Sequence, residues 1–234
     1  FRFDQTVCVS EYVKNDFCSI VPVKNAVVLY NTVESDKIRY LSNEEVKDIF
    51  FSKDEIKLCG IGTLKKSKGF DRLLRVHKRL LRDGYPVHTY ILGEGEEQPI
   101  LKSYIENENI ASTVTFLGYK KNPYKYVKQC DVFVCTSYAE GFSTAATEAL
   151  IIGVPVCTME VSGMKEMLGS NNEYGIVTKN EENDFYTKLR TLIENKELLY
   201  YYKEQAKKRG EIFNTQSTVE ATESLFENLV KQHD

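Results

Sequence analysis

The sequence lacks any run of about 18 continuous apolar residues, the length that a membrane-spanning helix needs. Its first residues carry charges throughout and contain no apolar signal-peptide core. It also lacks a basic excess: the net charge is −3 and the pI about 5.8, which argues against nucleic-acid binding by bulk electrostatics. With 234 residues, 42% of them hydrophobic and 28% charged, we expect a globular, cytoplasmic protein of one large domain or two small ones.

Patterns typical of disulfides and metal sites are also missing. The six cysteines form no CxxC pair, and most lie within apolar runs, as buried, reduced thiols do. The three histidines match no metal-ligand spacing. We therefore expect neither a disulfide framework nor a metal site. The residues concerned are Cys8, Cys18, Cys59, Cys130, Cys135, Cys157, His77, His88 and His233.

Common nucleotide and hydrolase motifs are incomplete or absent. GIGTLKKSKG at 60–69 and LGEGEEQ at 92–98 each lack the third glycine of the dinucleotide fingerprint, and no GxxxxGK[ST] loop is present. The chain has no GxSxG nucleophile elbow. It also has no DxD pair, so a divalent metal that bridges a diphosphate would lack its usual ligands.

Short apolar runs alternate with amphipathic stretches along the chain. Almost continuously apolar strands separated by helices predict an α/β fold with a doubly wound, Rossmann-like parallel sheet. The predicted strands are 6–10, 26–30, 56–62, 87–93, 113–118, 131–137, 154–158 and 174–178. The predicted helices are 70–81, 96–108, 122–129, 143–152, 162–168, 181–194, 196–210 and 215–231.

The composition changes near the start of the chain. Residues 1–31 are predicted to hold two strands and one short helix, and residues 32–53 are polar and contain no predicted strand. We interpret 32–53 as a linker and 54–234 as a complete domain. Because ligands of doubly wound sheets bind at the carboxyl ends of the strands, the residues after each strand are the candidates for function.

The segment CTSYAEGFSTAATEAL, residues 135–150, follows one of these strands. A helix is predicted to begin near Ser143, and helix N-termini favour phosphate. Gly141 and the small residues after it let a phosphate approach the backbone, while Glu140 and Glu148 flank the position and suit paired hydroxyl donors. This pattern favours a ligand that carries a diphosphate between two polyols. The alternative is a surface helix whose glutamates face water.

Basic residues follow the strand at 56–62. Gly60 and Gly62 permit a tight turn, and Lys65, Lys66 and Lys68 precede the next helix, where they could neutralise a diphosphate. A solvated basic loop is the alternative interpretation.

Together these segments resemble the retaining, GT-B-fold glycosyltransferases of family 4, the group 1 glycosyl transferases. The signature E-x7-E lies in SYAEGFSTAATEAL at 137–150 and is followed by GVPV at 153–156. Supporting segments are GTLKKSKG at 62–69, LGEGEE at 92–97, FLGY at 116–119, QCDVFVCTS at 129–137, SGMKEML at 162–168 and NEYGIV at 172–177. The resemblance covers mainly the C-terminal, donor-binding domain of the family, and residues 1–31 resemble the end of its N-terminal acceptor domain.

The resemblance implies a role for each residue of the predicted donor site. Glu140 would hold hydroxyls of the donor sugar, Glu148 the ribose, and Lys68 the diphosphate. The backbone of Gly141, Phe142 and Ser143 would also contact the diphosphate, and the backbone near Tyr119 would face the base. Gly62 and Thr63 complete the site, although Thr63 stands where the family usually has an arginine. We predict that Glu140 and Lys68 take part in catalysis.

The resemblance also implies an activity. It indicates transfer of a hexose, with retention, from a nucleotide-diphosphate sugar that is UDP-linked to a saccharide or lipid-linked acceptor in cell-surface polysaccharide synthesis. No cofactor or metal is expected, and contact with the inner face of a membrane would come through the acceptor domain. The fragment alone is expected to be inactive. Two alternatives stay open: a non-catalytic, transferase-like partner subunit and a UDP-sugar epimerase.

Overall fold

The computed structural model describes residues 3–231 and contains two parallel β-sheets. The smaller sheet pairs β1 (Thr6–Cys8) with β2 (Ala26–Val28), and α1 (Glu11–Ile20) connects them. Ser10 caps α1 by accepting a hydrogen bond of 3.1 Å from Val13 N. This strand–helix–strand unit agrees with the prediction for residues 1–31. Residues 1, 2 and 232–234, including His233, lie outside the described residues.

The larger sheet has six parallel strands in the order β5-β4-β3-β6-β7-β8. Numbered within this sheet, the order is 3-2-1-4-5-6, that of dinucleotide-binding Rossmann domains. The direction of winding reverses between β3 and β6, so their carboxyl ends open a crevice. The strands are β3 (Ile56–Ile61), β4 (Val87–Leu92), β5 (Val114–Gly118), β6 (Val132–Cys135), β7 (Val156–Met159) and β8 (Ile176–Thr178).

Helices cover both faces of this sheet. Alternate strand residues belong to different core clusters: Leu58, Val132 and Val134 to one, Cys59 and Phe133 to the other. Burial on both faces explains why the strands are almost continuously apolar. The helices are α2 (Ser35–Ser42), α3 (Phe70–Arg82), α4 (Gln98–Asn107), α5 (Tyr124–Val127), α6 (Thr144–Ile152), α7 (Met164–Leu168), α8 (Glu182–Glu194), α9 (Lys196–Ile212) and α10 (Thr215–Lys231).

The apolar stripe of α3 includes a histidine. His77 is fully buried, and its ring nitrogens lie 2.8 Å from Thr89 Oγ1 and 2.9 Å from Thr113 Oγ1. Burial lowers the pKa of His77 to about 4. This residue is therefore a hydrogen-bonded core side chain.

The predicted linker contains the helix α2, which the sequence pattern did not indicate. Ile38 of α2 and Val33 before it are buried and pack with Ile151 of α6. Thr215 Oγ1 also donates a hydrogen bond of 2.8 Å to Val33 O. Since the helix is short and mostly polar, its buried positions are too few to form a periodic pattern. The domain boundary at this segment stays a prediction.

Two further expectations concern the chain as a whole. All six cysteines are free thiols, and five are buried. Among residues 3–231, no helix combines the length and the apolar character needed to cross a membrane.

Candidate functional site

The crevice between β3 and β6 is bordered by two loops that are fastened to each other. Thr136 Oγ1 donates a hydrogen bond of 2.8 Å to Gly69 O, and Tyr138 N donates one of 2.8 Å to Ser67 O. Gly69 has a φ of +64°, and a Cβ there would lie 2.0 Å from Thr136 O. Only glycine permits this approach. This packing places the loop that contains Lys65, Lys66 and Lys68 directly beside the start of the E-x7-E segment.

Lys68 and Glu140 meet at this crevice. Lys68 lies in a 3-10 turn at 66–68, and its Nζ donates to Glu140 Oε1 at 2.6 Å. Ser137 Oγ donates to the same oxygen at 2.7 Å. The side chains of Lys68 and Glu140 are 25% and 10% exposed, so the pair is only partly accessible to water. The resemblance assigns both residues to the donor site, and the structure brings them into direct contact.

The start of α6 has the features of an anion site. Ser143 is the N-cap, and its Oγ accepts a hydrogen bond of 3.3 Å from Ala146 N. Helix geometry leaves the N–H groups of Thr144 and Ala145 without intrahelical partners. Glu148 is the fifth residue of α6, so Glu140 precedes the helix and Glu148 lies within it, as the sequence predicted.

Glu148 has a different partner from Glu140. Tyr124 Oη donates to Glu148 Oε1 at 3.2 Å. Burial raises the pKa of Glu148 above its ordinary value, against the opposing effect of this hydrogen bond. Burial, together with the charge of Glu148, raises the pKa of Tyr124 to about 12. The two glutamates therefore point to separate partners, and the hydroxyl of Tyr124 would accompany Glu148 in any ligand contact.

A cavity of about 330 Å³ lies beside the crevice, at the carboxyl ends of β3, β4 and β5. Three predicted donor-site residues line it, namely Gly62, Thr63 and Tyr119, but neither Glu140 nor Glu148 does. Pro123 also lines it and precedes Tyr124, which connects the cavity to the surroundings of Glu148. The complete lining is Ile61, Gly62, Thr63, Leu92, Gly93, Glu94, Tyr119, Lys120 and Pro123.

Glu94 is a member of this cavity that sequence reasoning did not single out. Its Oε1 accepts a hydrogen bond of 3.3 Å from Tyr119 N, the backbone group predicted to face the base. The side chain of Tyr119 itself is 73% exposed. The position of Glu94 two residues after β4 was the available signal, because the carboxyl ends of parallel strands lie on the same side of the sheet.

The GxG at 93–95 has a packing role. A Cβ on Gly93, whose φ is +124°, would lie 2.0 Å from Gly62 O, and one on Gly95 would lie 2.4 Å from Leu64 O. The loops after β3 and β4 therefore touch through their backbones. The sequence showed only an incomplete dinucleotide fingerprint here, and the contact between the two loops could not be predicted from it.

Gly141 and Phe142 lie at the boundary with the N-terminal unit. A Cβ on Gly141 would be 3.5 Å from Val9 Cγ2. The ring of Phe142 is buried, with its centroid 5.3 Å from that of Tyr30. The side chain of Phe142 thus faces the residues that follow β2, and only its backbone lies at the start of α6.

Comparison with known proteins identifies the family. The family model for glycosyl transferases group 1 matches residues 42–209. A Campylobacter jejuni protein, N-acetylgalactosamine-N,N'-diacetylbacillosaminyl-diphospho-undecaprenol 4-alpha-N-acetylgalactosaminyltransferase, is 34% identical over 200 residues, which are 84% of this chain and 52% of that protein. This chain thus spans about half the length of that relative.

Solved structures confirm the fold. The structure of a Staphylococcus aureus TarM variant with Fondaparinux, alpha-GlcNAc-glycerol and UDP superposes with a TM-score of 0.80 at 23% identity, over 95% of this chain and 43% of that one. Anabaena HepE with UDP and glucose has a TM-score of 0.80 at 18% identity, over 94% of this chain and 62% of that one. The prediction of a Rossmann-like C-terminal half of a GT-B fold is confirmed. Because the family match extends over more than half of its length, the chain belongs to the group 1 glycosyltransferases.

Proposed function

We propose that this chain is the donor-binding part of a retaining glycosyltransferase that moves a hexose from a UDP-linked sugar to a saccharide or lipid-linked acceptor. The observation that carries the proposal is the contact between Lys68 and Glu140 at the carboxyl ends of β3 and β6. A cation and a carboxylate at the switch point of a doubly wound sheet suit a ligand with both phosphates and hydroxyls.

The geometry favours one orientation of the donor. The base occupies the cavity lined by Gly62, Thr63 and Tyr119. The ribose lies towards Glu148, whose partner Tyr124 follows the cavity residue Pro123. The diphosphate lies at Lys68 and the start of α6, and the sugar reaches Glu140. This order requires Lys68 to exchange Glu140 for the diphosphate when the donor binds.

In the proposed reaction, the chain positions the donor and stabilises the leaving group. The bond between the anomeric carbon and the diphosphate oxygen breaks, and the acceptor oxygen bonds to the same face of that carbon. The departing diphosphate takes the proton of the acceptor hydroxyl. Lys68 and the N–H groups of α6 stabilise its charge. Glu140 holds the sugar hydroxyls so that the anomeric carbon faces the acceptor. No metal is required by this scheme.

The comparisons support the wider context of the proposal. The name of the Campylobacter jejuni relative specifies a lipid-linked diphosphate acceptor, and the TarM and HepE structures hold UDP. These properties favour UDP as the donor nucleotide and a lipid-linked acceptor. Synthesis of a cell-surface glycan at the inner face of a membrane is part of the proposal.

Titration with UDP followed by amide NMR tests the proposal. We expect shifts for Gly62, Lys68, Tyr119 and the first turn of α6, with weak affinity typical of a polar ligand. If the amides of this crevice do not shift at saturating UDP, donor binding by this chain is refuted.

Thr63 favours a second candidate function. Because this position lacks the arginine usual in the family, a non-catalytic subunit that binds a donor without transferring it is consistent with the site. An assay of the protein with its acceptor domain distinguishes the two: release of UDP from a UDP-sugar in the presence of acceptors supports the enzyme, and binding without release supports the subunit.

A further inference from the structure

A second cavity, of about 430 Å³, lies at the amino ends of strands β6 and β7 of the six-stranded sheet. It is bordered by the residues that precede β6 and β7, by the end of α6 and by one side of α9. Because the strands are parallel, their amino ends are remote from the crevice of the proposed donor site, which lies at their carboxyl ends. We call the second cavity the lysine cavity. The lining includes Lys128, Asp131, Gly153, Lys196, Lys203 and Lys207.

The charges of the lysine cavity are unbalanced. Four lysines line it, whereas its one acid, Asp131, is paired with Lys57 at 3.1 Å. Lys128 Nζ donates to the neutral amide oxygen of Asn43. Lys207 contacts Glu204 at 2.6 Å, but both side chains are more than a third exposed, so water screens that pair.

Lys196 and Lys203 account for the excess positive charge of the lysine cavity. In the part of the chain that the structure describes, neither has a carboxylate in ion-pair contact. The whole chain has a net charge of −3, so this concentration of cations is a local reversal of the overall charge.

Helix α9 aligns these lysines. Positions 196, 203 and 207 are seven and four residues apart, which places them on one side of the helix with Leu199 and Tyr200. Asn195 caps α9 by accepting from Leu198 N at 3.0 Å, and the N-terminal end of the helix adds positive potential beside Lys196.

The C-terminal end of α6 also borders the cavity. Two of its last four carbonyls accept capping hydrogen bonds: Gly153 N donates to Leu150 O, and Val154 N to Ala149 O, each at 2.9 Å. Gly153 has a φ of +84°, and a Cβ there would lie 2.8 Å from Lys207 Cγ. The missing side chain therefore makes room for the stem of Lys207 at the margin of the cavity.

We infer that the lysine cavity binds the phosphate groups of an anionic ligand, either a free phosphate compound or the headgroup of an anionic phospholipid. Several ammonium groups around one hollow suit an oxyanion with more than one negative charge better than a single carboxylate. The hydroxyl of Tyr200, which is 65% exposed, adds a neutral donor at the rim. This binding is separate from the proposed donor site and does not depend on it.

Two probes distinguish the sources of the phosphate. Inorganic pyrophosphate is titrated into the chain and followed by amide NMR, which separates shifts at Gly153, Lys196 and Lys203 from those at the donor crevice. Sedimentation with vesicles of phosphatidylglycerol and phosphatidylcholine, against vesicles of phosphatidylcholine alone, tests the lipid headgroup. The double variant Lys196→Gln/Lys203→Gln is compared with Lys208→Gln, an exposed lysine of the same helix that does not line the cavity.

The expected result is weakening of at least one probe by about tenfold in the double variant, with less than about a twofold change in Lys208→Gln. Loss of pyrophosphate shifts at the cavity assigns a free phosphate compound, and loss of vesicle binding alone assigns a lipid headgroup. If neither probe engages the cavity residues, or if Lys208→Gln weakens binding as much as the double variant does, the inference is wrong. Circular dichroism of each variant checks that the fold is retained.

Discussion

Lys68 and Glu140 form an ion pair with an Nζ–Oε1 distance of 2.6 Å, although both are assigned to bind different parts of the proposed donor. In the free protein, the carboxylate of Glu140 is therefore paired with the ammonium group of Lys68, which the diphosphate needs. Ser137 Oγ, at 2.7 Å from the same oxygen, can continue to hold Glu140 after Lys68 turns to the ligand.

This pair predicts opposite effects of two neutralising changes on UDP affinity. Glu140→Gln frees Lys68 and should tighten UDP by about threefold, since a partly exposed ion pair contributes ~1 kcal/mol or less. Lys68→Gln removes a charge-assisted phosphate contact and should weaken UDP roughly tenfold or more. Calorimetric titration measures both, with Lys102→Gln on α4 as the control for loss of an exposed lysine. Equal weakening by both changes would contradict the exchange of partners.

A second prediction separates the ribose contact from the phosphate contact. Glu148→Gln should weaken UDP about fivefold and leave pyrophosphate within about twofold, because only UDP has a ribose and a neutral amide accepts hydrogen bonds less strongly. Calorimetric titration of the two ligands gives the ratio. A matching loss for pyrophosphate would place Glu148 near the phosphates instead.

The pH dependence of that ratio gives a third prediction. Burial raises the pKa of Glu148, so this carboxyl takes up its proton at a higher pH than an exposed glutamate. As the pH falls towards that raised pKa, the protonated carboxyl loses acceptor capacity, and the affinity for UDP relative to pyrophosphate should decrease. Glu148→Gln should abolish this part of the pH dependence. The same ligands titrated between neutral and mildly acidic pH provide the test, and an unchanged slope in the variant would exclude Glu148.

The fold could be predicted from the sequence because burial determines the pattern of apolar residues along the chain. All eight predicted strands are present, since parallel strands covered on both faces are apolar throughout. Glu140 and Glu148 were correctly placed before and within one helix, because a signature at fixed spacing reports local structure. The helix α2 was missed because its packing on α6 involves few residues, such as Ile38.

Contacts between loops could not be read in this way. The pairing of Lys68 with Glu140 and the contact of Glu94 with the backbone of Tyr119 join segments that are far apart in the chain. Their geometry depends on how the strand ends converge. A single sequence carries residue types at these positions but not the directions of their side chains.

The close contact of two loops predicts a stability effect. Gly93→Ala places a Cβ 2.0 Å from Gly62 O at a φ of +124°, so the loops after β3 and β4 must separate. We expect a loss of about 3 kcal/mol in the free energy of unfolding. Gly84→Ala is the control: its φ is +90°, but no atom lies within 4 Å of the added Cβ, so only backbone strain of ~1 kcal/mol applies. Urea unfolding compares them, and equal losses would show that the loop contact is not rigid.

Thr63 predicts a gain of function in donor binding. Thr63 is exposed and lines the cavity beside the crevice. It directly follows Gly62, and it stands where the resemblance expects an arginine. The neighbouring Lys66 does not replace that cation freely, because its Nζ lies 2.8 Å from Asp71 Oδ2.

Thr63→Arg should tighten pyrophosphate and UDP about tenfold through a charge-assisted contact. Thr63→Gln, long but neutral, should leave both within about twofold. Added salt should reduce the gain, since the new contact is partly screened. If arginine binds no better than glutamine in calorimetric titrations, a side chain at residue 63 does not reach the diphosphate.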